Sequence, residues 1–279
     1  MDALLSTALA AAEAAAEVHR HFFGRIGLDA VEEKAHSDFV SKVDLEAQEA
    51  ALAVILGRHP DHRVLAEEEG PVVPGTHREA AWPSEGGYLW IVDPLDGTTN
   101  YLHRHPFFAA SVGVGRASPE SGAGGLAGME AGAVVAPITG EQWWARRGEG
   151  AFKDGVRIQV SSHRSMARAL VGTGFPFKAP ELVPRYVQEL GRVLPASGGV
   201  RRAGSAAIDL CYLAEGILDG FWEEEYLSPW DVAAGVLILQ EAGGVATRLD
   251  GSALSLESGS VLAANSPELH EELGQLVQG

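Results

Sequence analysis

Residues 88–92 form an apolar run that reads as a buried strand, and it ends in two acids three positions apart, Asp93 and Asp96. Pro94 fixes the backbone angle between them, and Asp96-Gly97 makes a turn into a helix predicted to start at Thr98. The strand therefore delivers two carboxylates to one tight loop, where they can converge on a single point. An Asx turn with a helix cap accounts for either acid but does not require both. A calcium loop fits poorly, because the acids occupy its positions one and four and position twelve is Arg104. The amides of Gly97 and Thr98 point outward at the helix start, which suits a phosphate.

Charge sharpens that reading. The 279 residues carry 21 basic and 38 acidic side chains, a formal charge of −17. So acidic a surface argues against direct nucleic-acid binding and against an anionic membrane, and an anionic substrate needs cations recruited to its site. Apolar residues make up 46% and charged residues 21%, which excludes a disordered chain and allows one large domain or two closely packed ones. The single cysteine, Cys211, excludes internal disulfides and a cysteine-based zinc site and points to a reducing cytoplasm. Glu13, Glu17 and Glu241 interrupt the apolar stretches, so no membrane span is expected. Asp2 stands where a signal peptide would carry positive charge.

Periodicity organises the rest. Leu4, Leu5, Ala8, Leu9, Ala12, Ala15, Ala16 and His19 recur at helical spacing until Gly24, and a second helix is predicted over 41–57. Strands are predicted at 64–66, 88–92 and 107–114, a hairpin at 131–145 around Thr139-Gly140, and a bent strand at 152–160. Beyond these come strand 169–173, helices 183–193 and 206–213, strand 220–222 and helix 230–241. Strands near Val245 and at 260–264 and a helix from Pro267 finish the chain, while 118–128 reads as a loop. The pattern predicts an α+β half, residues 1–150, and an α/β half, residues 151–279, joined near 145–160 into one compact unit.

Other features have plain readings when taken singly. No G-x-S-x-G elbow or P-loop is present, and the match at Gly122 to Ala127 to a dinucleotide pattern follows a loop and not a strand. His103 and His105 read as surface residues. Glu67-Glu68-Glu69 reads as a solvated charge run, and Asp38 and Asp44 as cap and first-turn acids. Ser228-Pro229-Trp230-Asp231 fits a capping box, and Gly204-Ser205 an ordinary helix cap.

Together these segments resemble the inositol monophosphatase family of magnesium-dependent, lithium-inhibited phosphatases. Glu67, the loop from Asp93 to Thr99, and Trp230-Asp231 through Gly244 carry the likeness in family order. Gly172-Thr173-Gly174-Phe175-Pro176-Phe177 and residues 201–207 extend it to the bacterial members. The resemblance implies a layered αβαβα sandwich, and a homodimer in the cytoplasm. It also implies two or three magnesium ions, with manganese as a substitute: Glu67, Asp93 and the Leu95 carbonyl for the first, Asp93, Asp96 and Asp231 for the second, Glu67 for a third. Four carboxylates and a phosphate dianion could not share a site without such cations. By the same likeness, one ion activates water and another stabilises the leaving oxygen, while Thr98, bonded to Asp44, positions the water. Glu67, Thr98 and Asp44 form the catalytic set. Gly97, Thr98, Ser205 and either Glu223 or Glu224 contact a small phosphorylated polyol or sugar. Fructose-1,6-bisphosphatase, histidinol phosphatase and 3′-phosphoadenosine phosphatase activities use the same metal core. Some bacterial relatives also bind transcription or RNA-processing machinery.

Overall fold

The computed structural model describes residues 2–26, 31–35, 38–68, 87–116, 126–257 and 259–279, with no side-chain description for 31–41 and 225. Glu69, the dinucleotide-like match at Gly122 and most of the loop expected at 118–128 lie outside the described residues.

Five layers alternate between helix and sheet. The first holds α1 (Ala3–Phe22) and α2 (Lys42–Arg58). Asp2 caps α1 by accepting from the Leu4 amide at 2.7 Å, and the alanine stripe Ala8, Ala11, Ala12, Ala15, Ala16 lets the helix lie close against α2 and the sheet. That sheet has seven strands: β3 (Arg63–Ala66), β4 (Leu89–Asp96), β5 (Ala109–Gly115), β6 (Met129–Ala136), β7 (Glu141–Arg146), β8 (Gly150–Lys153) and β9 (Val156–Ile158), hydrogen-bonded in that order. Only β3 and β4 run parallel.

The middle layer is α5 (Ala206–Ala214) and α6 (Pro229–Glu241). Val232, Ala233, Ala234, Val236, Leu237, Ile238 and Leu239 of α6 are all buried, so the helix is apolar all round, as a helix held between two sheets must be. The second sheet has the order β11 (Gly199–Arg201), β10 (Leu170–Thr173), β12 (Gly220–Leu227), β14 (Gly259–Ala264), β13 (Val245–Thr247). Helices α4 (Val183–Ala196) and α7 (Pro267–Gln278) cover its far face. The αβαβα sandwich expected from the resemblance is the observed architecture. Among the described residues, no helix is long and apolar enough to cross a membrane.

Three expectations change. A hairpin, β1 (Val31–Ala35) with β2 (Asp38–Ser41), precedes α2, so Asp38 opens a strand and does not cap the helix. Strand β4 continues to Asp96, past the point where the apolar run stops. Strand β12 continues to Leu227, because its outer part pairs with β14 through a register shift between Glu223 and Leu227. A one-turn helix, α3 (Thr98–Leu102), follows β4.

Candidate active site

Side chains alternate along a strand, so residues three apart should face opposite sides of a sheet. Asp93 pairs with Ser111 of β5, but Asp96 pairs with Ala109, so three steps on β4 answer two on β5. This bulge returns both acids to one face. The chain then turns at Gly97 with φ +95°, and a Cβ there would stand 3.1 Å from the Phe107 carbonyl oxygen. Only glycine fits.

A cavity of about 160 Å³ opens over this bend. Asp93, Asp96 and Asp231 each send a carboxylate oxygen into a group whose members lie within 4.8 Å of one another. Asp231 also accepts from the Ser228 amide at 2.6 Å, so its capping and clustering readings hold together. Glu67 lines the cavity, and its carboxyl is hydrogen-bonded to Asp93. Asp93 accepts from the Leu95 amide at 2.9 Å. Asp44, fully buried in the first turn of α2, accepts from the Thr98 hydroxyl at 3.0 Å, and the Leu95 carbonyl lies 3.1 Å from the same hydroxyl. Gly97 and Thr98 line the cavity beside them.

Electrostatics set the requirement. Burial, then Glu67, Asp96 and Asp231, push the Asp93 carboxyl well above the carboxylate range. Burial and Asp96 push Asp231 up to about 7. Burial also raises Asp96, against the Ser205 hydroxyl and the Ala207 amide that donate to it. Such a group holds together only with protons or with cations, and an all-oxygen donor set of this charge fits a hard divalent ion. Sequence separation gives no hint of one further support. His19 on α1 is fully buried, held neutral by burial with its pKa lowered to about 3, and its Nε2–H donates to the Pro94 carbonyl at 2.8 Å. It holds the loop from behind.

One of the expected substrate contacts lies elsewhere. Glu224 is fully buried on the opposite face of β12 from Glu223, with Arg185 at 3.2 Å and Glu189 beside it, because neighbours on a strand face opposite ways. Glu223 is the one that lines the cavity, accepting from the Tyr226 hydroxyl at 2.7 Å. Ser205 also lines the cavity, and its hydroxyl donates to Asp96 at 2.6 Å, so it holds that acid in place. Glu68 is buried and not solvated, its backbone amide and carbonyl both bonded to the Gln48 side chain. His103 and His105 are exposed. The cavity adds Lys178, Tyr226 and Asp209, none of which the sequence pattern singles out, and Arg202 from the 201–207 stretch.

A sequence model described as the inositol monophosphatase family matches residues 1–279. The chain belongs to that family. A Pseudomonas aeruginosa relative called Nus factor SuhB is 38% identical over 268 residues, covering 95% of this chain and 93% of its own. The fructose-1,6-bisphosphatase/inositol-1-monophosphatase of Aquifex aeolicus is 40% identical over 245 residues, 87% of this chain and 84% of its own. Among solved structures, the extragenic suppressor protein suhB of Bartonella henselae superposes with a TM-score of 0.85 at 31% identity, covering 99% of both chains. Inositol monophosphatase family members are metal-dependent phosphatases of small phosphorylated substrates, and the aspartate group described above is suited to holding their metal.

Proposed function

We propose that this protein is a magnesium-dependent phosphomonoesterase that hydrolyses inositol 1-phosphate or a similar small polyol or sugar phosphate. The observation that carries this reading is the convergence of Asp93, Asp96 and Asp231 beside the Gly97-Thr98 turn in one cavity. Glu67, Asp93 and the Leu95 carbonyl would hold one ion, Asp93, Asp96 and Asp231 a second, and Glu67 a third. When bound, the ions supply the charge that makes water acidic and the leaving oxygen stable.

The chain's own groups do the positioning. The Gly97 and Thr98 amides would hold phosphate oxygens; α3 spans five residues, so direct N–H bonding and not a helix dipole carries this. Asp44 accepts the hydrogen bond that the Thr98 hydroxyl donates, which leaves the threonine oxygen's lone pairs to accept from a water in the cavity. Glu223 takes a substrate hydroxyl, and Lys178 and Arg202 offset the acidic walls for an incoming anion. We further read the protein as a lithium-sensitive homodimer, and place it in the cytoplasm, a compartment with which its one cysteine, the buried Cys211, is compatible.

Metal-stripped protein should be inert on inositol 1-phosphate and regain turnover with magnesium. Rates on fructose 1,6-bisphosphate, histidinol phosphate and 3′-phosphoadenosine 5′-phosphate, measured side by side, select among the related activities. Full turnover without metal defeats the reading.

The relatives called Nus factor SuhB favour a second reading, a partner role in transcription or RNA processing. With a net charge of −17 the partner would be a protein. A pull-down at cytoplasmic salt that survives nuclease treatment supports this, and one lost on nuclease treatment does not.

A further inference from the structure

Asp209, in the first turn of α5, is 2% exposed and lines the same cavity as the β4 acids. Among the described residues, no donor reaches its carboxyl. Glu223 and Asp96 act on it with like charge, and Arg202 is the opposing one. A carboxyl that lines a cavity and takes no donor from the protein has its hydrogen-bonding capacity left for a ligand. It lies outside the group of three aspartates suited to a metal.

The wall beside Glu223 is kept bare. A Cβ on Gly174 would fall 2.0 Å from the Glu223 carboxyl, so only a glycine leaves that acid its place on the cavity wall. Next to it Thr173 turns its hydroxyl away, to Tyr186 at 3.1 Å. Gly174 thus leaves space for the Glu223 carboxyl, and Glu223 and Asp209 line one cavity with the metal group while standing outside it. Glu223 has the Tyr226 hydroxyl; Asp209 has nothing comparable. A ligand that satisfies both must bring them donors and no negative charge, which describes the hydroxyls of a polyol.

We infer that Asp209 is a specificity-determining contact that accepts a hydrogen bond from a substrate hydroxyl, so that with Glu223 it reads two hydroxyls of one polyol. This rests on the phosphomonoesterase reading and says how that site chooses its ester.

The test compares kcat/KM for inositol 1-phosphate with that for p-nitrophenyl phosphate, whose aryl group has no hydroxyl, in the magnesium-loaded parent and in Asp209→Ala. The ratio of the two should fall roughly 3- to 10-fold, chiefly through KM for the inositol ester, as for one lost buried hydrogen bond. An unchanged ratio overturns the inference, whether both rates hold or drop together, because a merely structural Asp209 moves both esters alike. Failure of the parent to hydrolyse either ester overturns the phosphatase reading, and the inference falls with it. Should Asp209→Ala not fold, the shape-conserving Asp209→Asn is measured in the same way: a smaller fall in the ratio supports the inference and none overturns it.

Discussion

Ser205 donates its hydroxyl to Asp96 across 2.6 Å, joining residues 109 positions apart. The bond fastens the first turn of α5 to the bulged end of β4, and the Ala207 amide adds a second donor to the same oxygen at 2.8 Å. Donors of this kind fix a metal-holding carboxylate in one orientation. Ser205→Ala removes one of the two. Its magnesium affinity should fall about tenfold, with kcat at saturating magnesium near the parent value. Titration of activity against magnesium reads both, and an unchanged midpoint removes Ser205 from the site.

Asp93 and Glu68 offer a contrast between two buried acids. Asp93 lies within the cluster, whereas Glu68 is anchored through its backbone to Gln48 and does not line the cavity. Asp93→Asn should abolish magnesium-stimulated turnover, while Glu68→Gln should keep it and show any effect in the unfolding temperature. Equal losses in the two variants would contradict the assignment of the cluster.

The pH dependence of the metal-free protein has a definite sign. In the native state Asp231 and Glu223 hold protons up to about 7 and Glu189 up to about 8, chiefly through burial, whereas all three ionise near their ordinary values when the chain unfolds. A raised carboxyl pKa means that the folded state binds more protons, so stability falls as pH rises through this range. Buried His19 works in the opposite sense, but its contribution is complete above its unfolded value near 6.5. Between pH 6.5 and 8 the unfolding temperature without metal should therefore decline. Saturating magnesium, which replaces protons on Asp93 and Asp231, should remove the Asp231 share of the decline. Its affinity should rise about tenfold per pH unit below 7 for each proton released. Calorimetry in buffers of different ionisation enthalpy counts the protons, and a metal-free protein that grows more stable across the window contradicts the assignment.

The parts of the site visible in the sequence are those where local chemistry and spacing coincide. The run into Asp93, the glycine that must take φ +95° and the cap at Asp231 each follow from local rules. Periodicity gave the helices and strands and their division into an α+β and an α/β half. The five-layer order came from the family resemblance, because which sheet face a helix covers depends on contacts distant in sequence. Glu223 and Glu224 could not be separated, because strand alternation assigns faces only once a register is known, and that register shifts beside them. Asp209 was invisible. It is an ordinary first-turn helix acid until β12 brings Glu223 into the same cavity. The β1–β2 hairpin escaped because Val31-Glu32-Glu33-Lys34-Ala35 lacks the alternation by which half-buried strands are read.

Thr98 and Asp44 supply the most discriminating experiment. The Thr98 hydroxyl has one proton and two acceptors within reach, Asp44 at 3.0 Å and the Leu95 carbonyl at 3.1 Å. A charged acceptor makes the stronger bond, so the proton goes to Asp44 and the threonine oxygen is left able to accept from water. Valine keeps the shape and loses both roles, so Thr98→Val should lower kcat by roughly 10²-fold. KM and magnesium affinity should change little, because every carboxylate in the cluster remains. Asp44→Asn removes the charge that draws the proton, lets the Leu95 carbonyl compete, and should resemble Thr98→Val. The double variant should be scarcely worse than either, since residues acting as one unit do not add. If Asp44 serves only the first turn of α2, Asp44→Asn will instead unfold at lower temperature with kcat intact. Measuring kcat and unfolding temperature for the three variants separates the two roles.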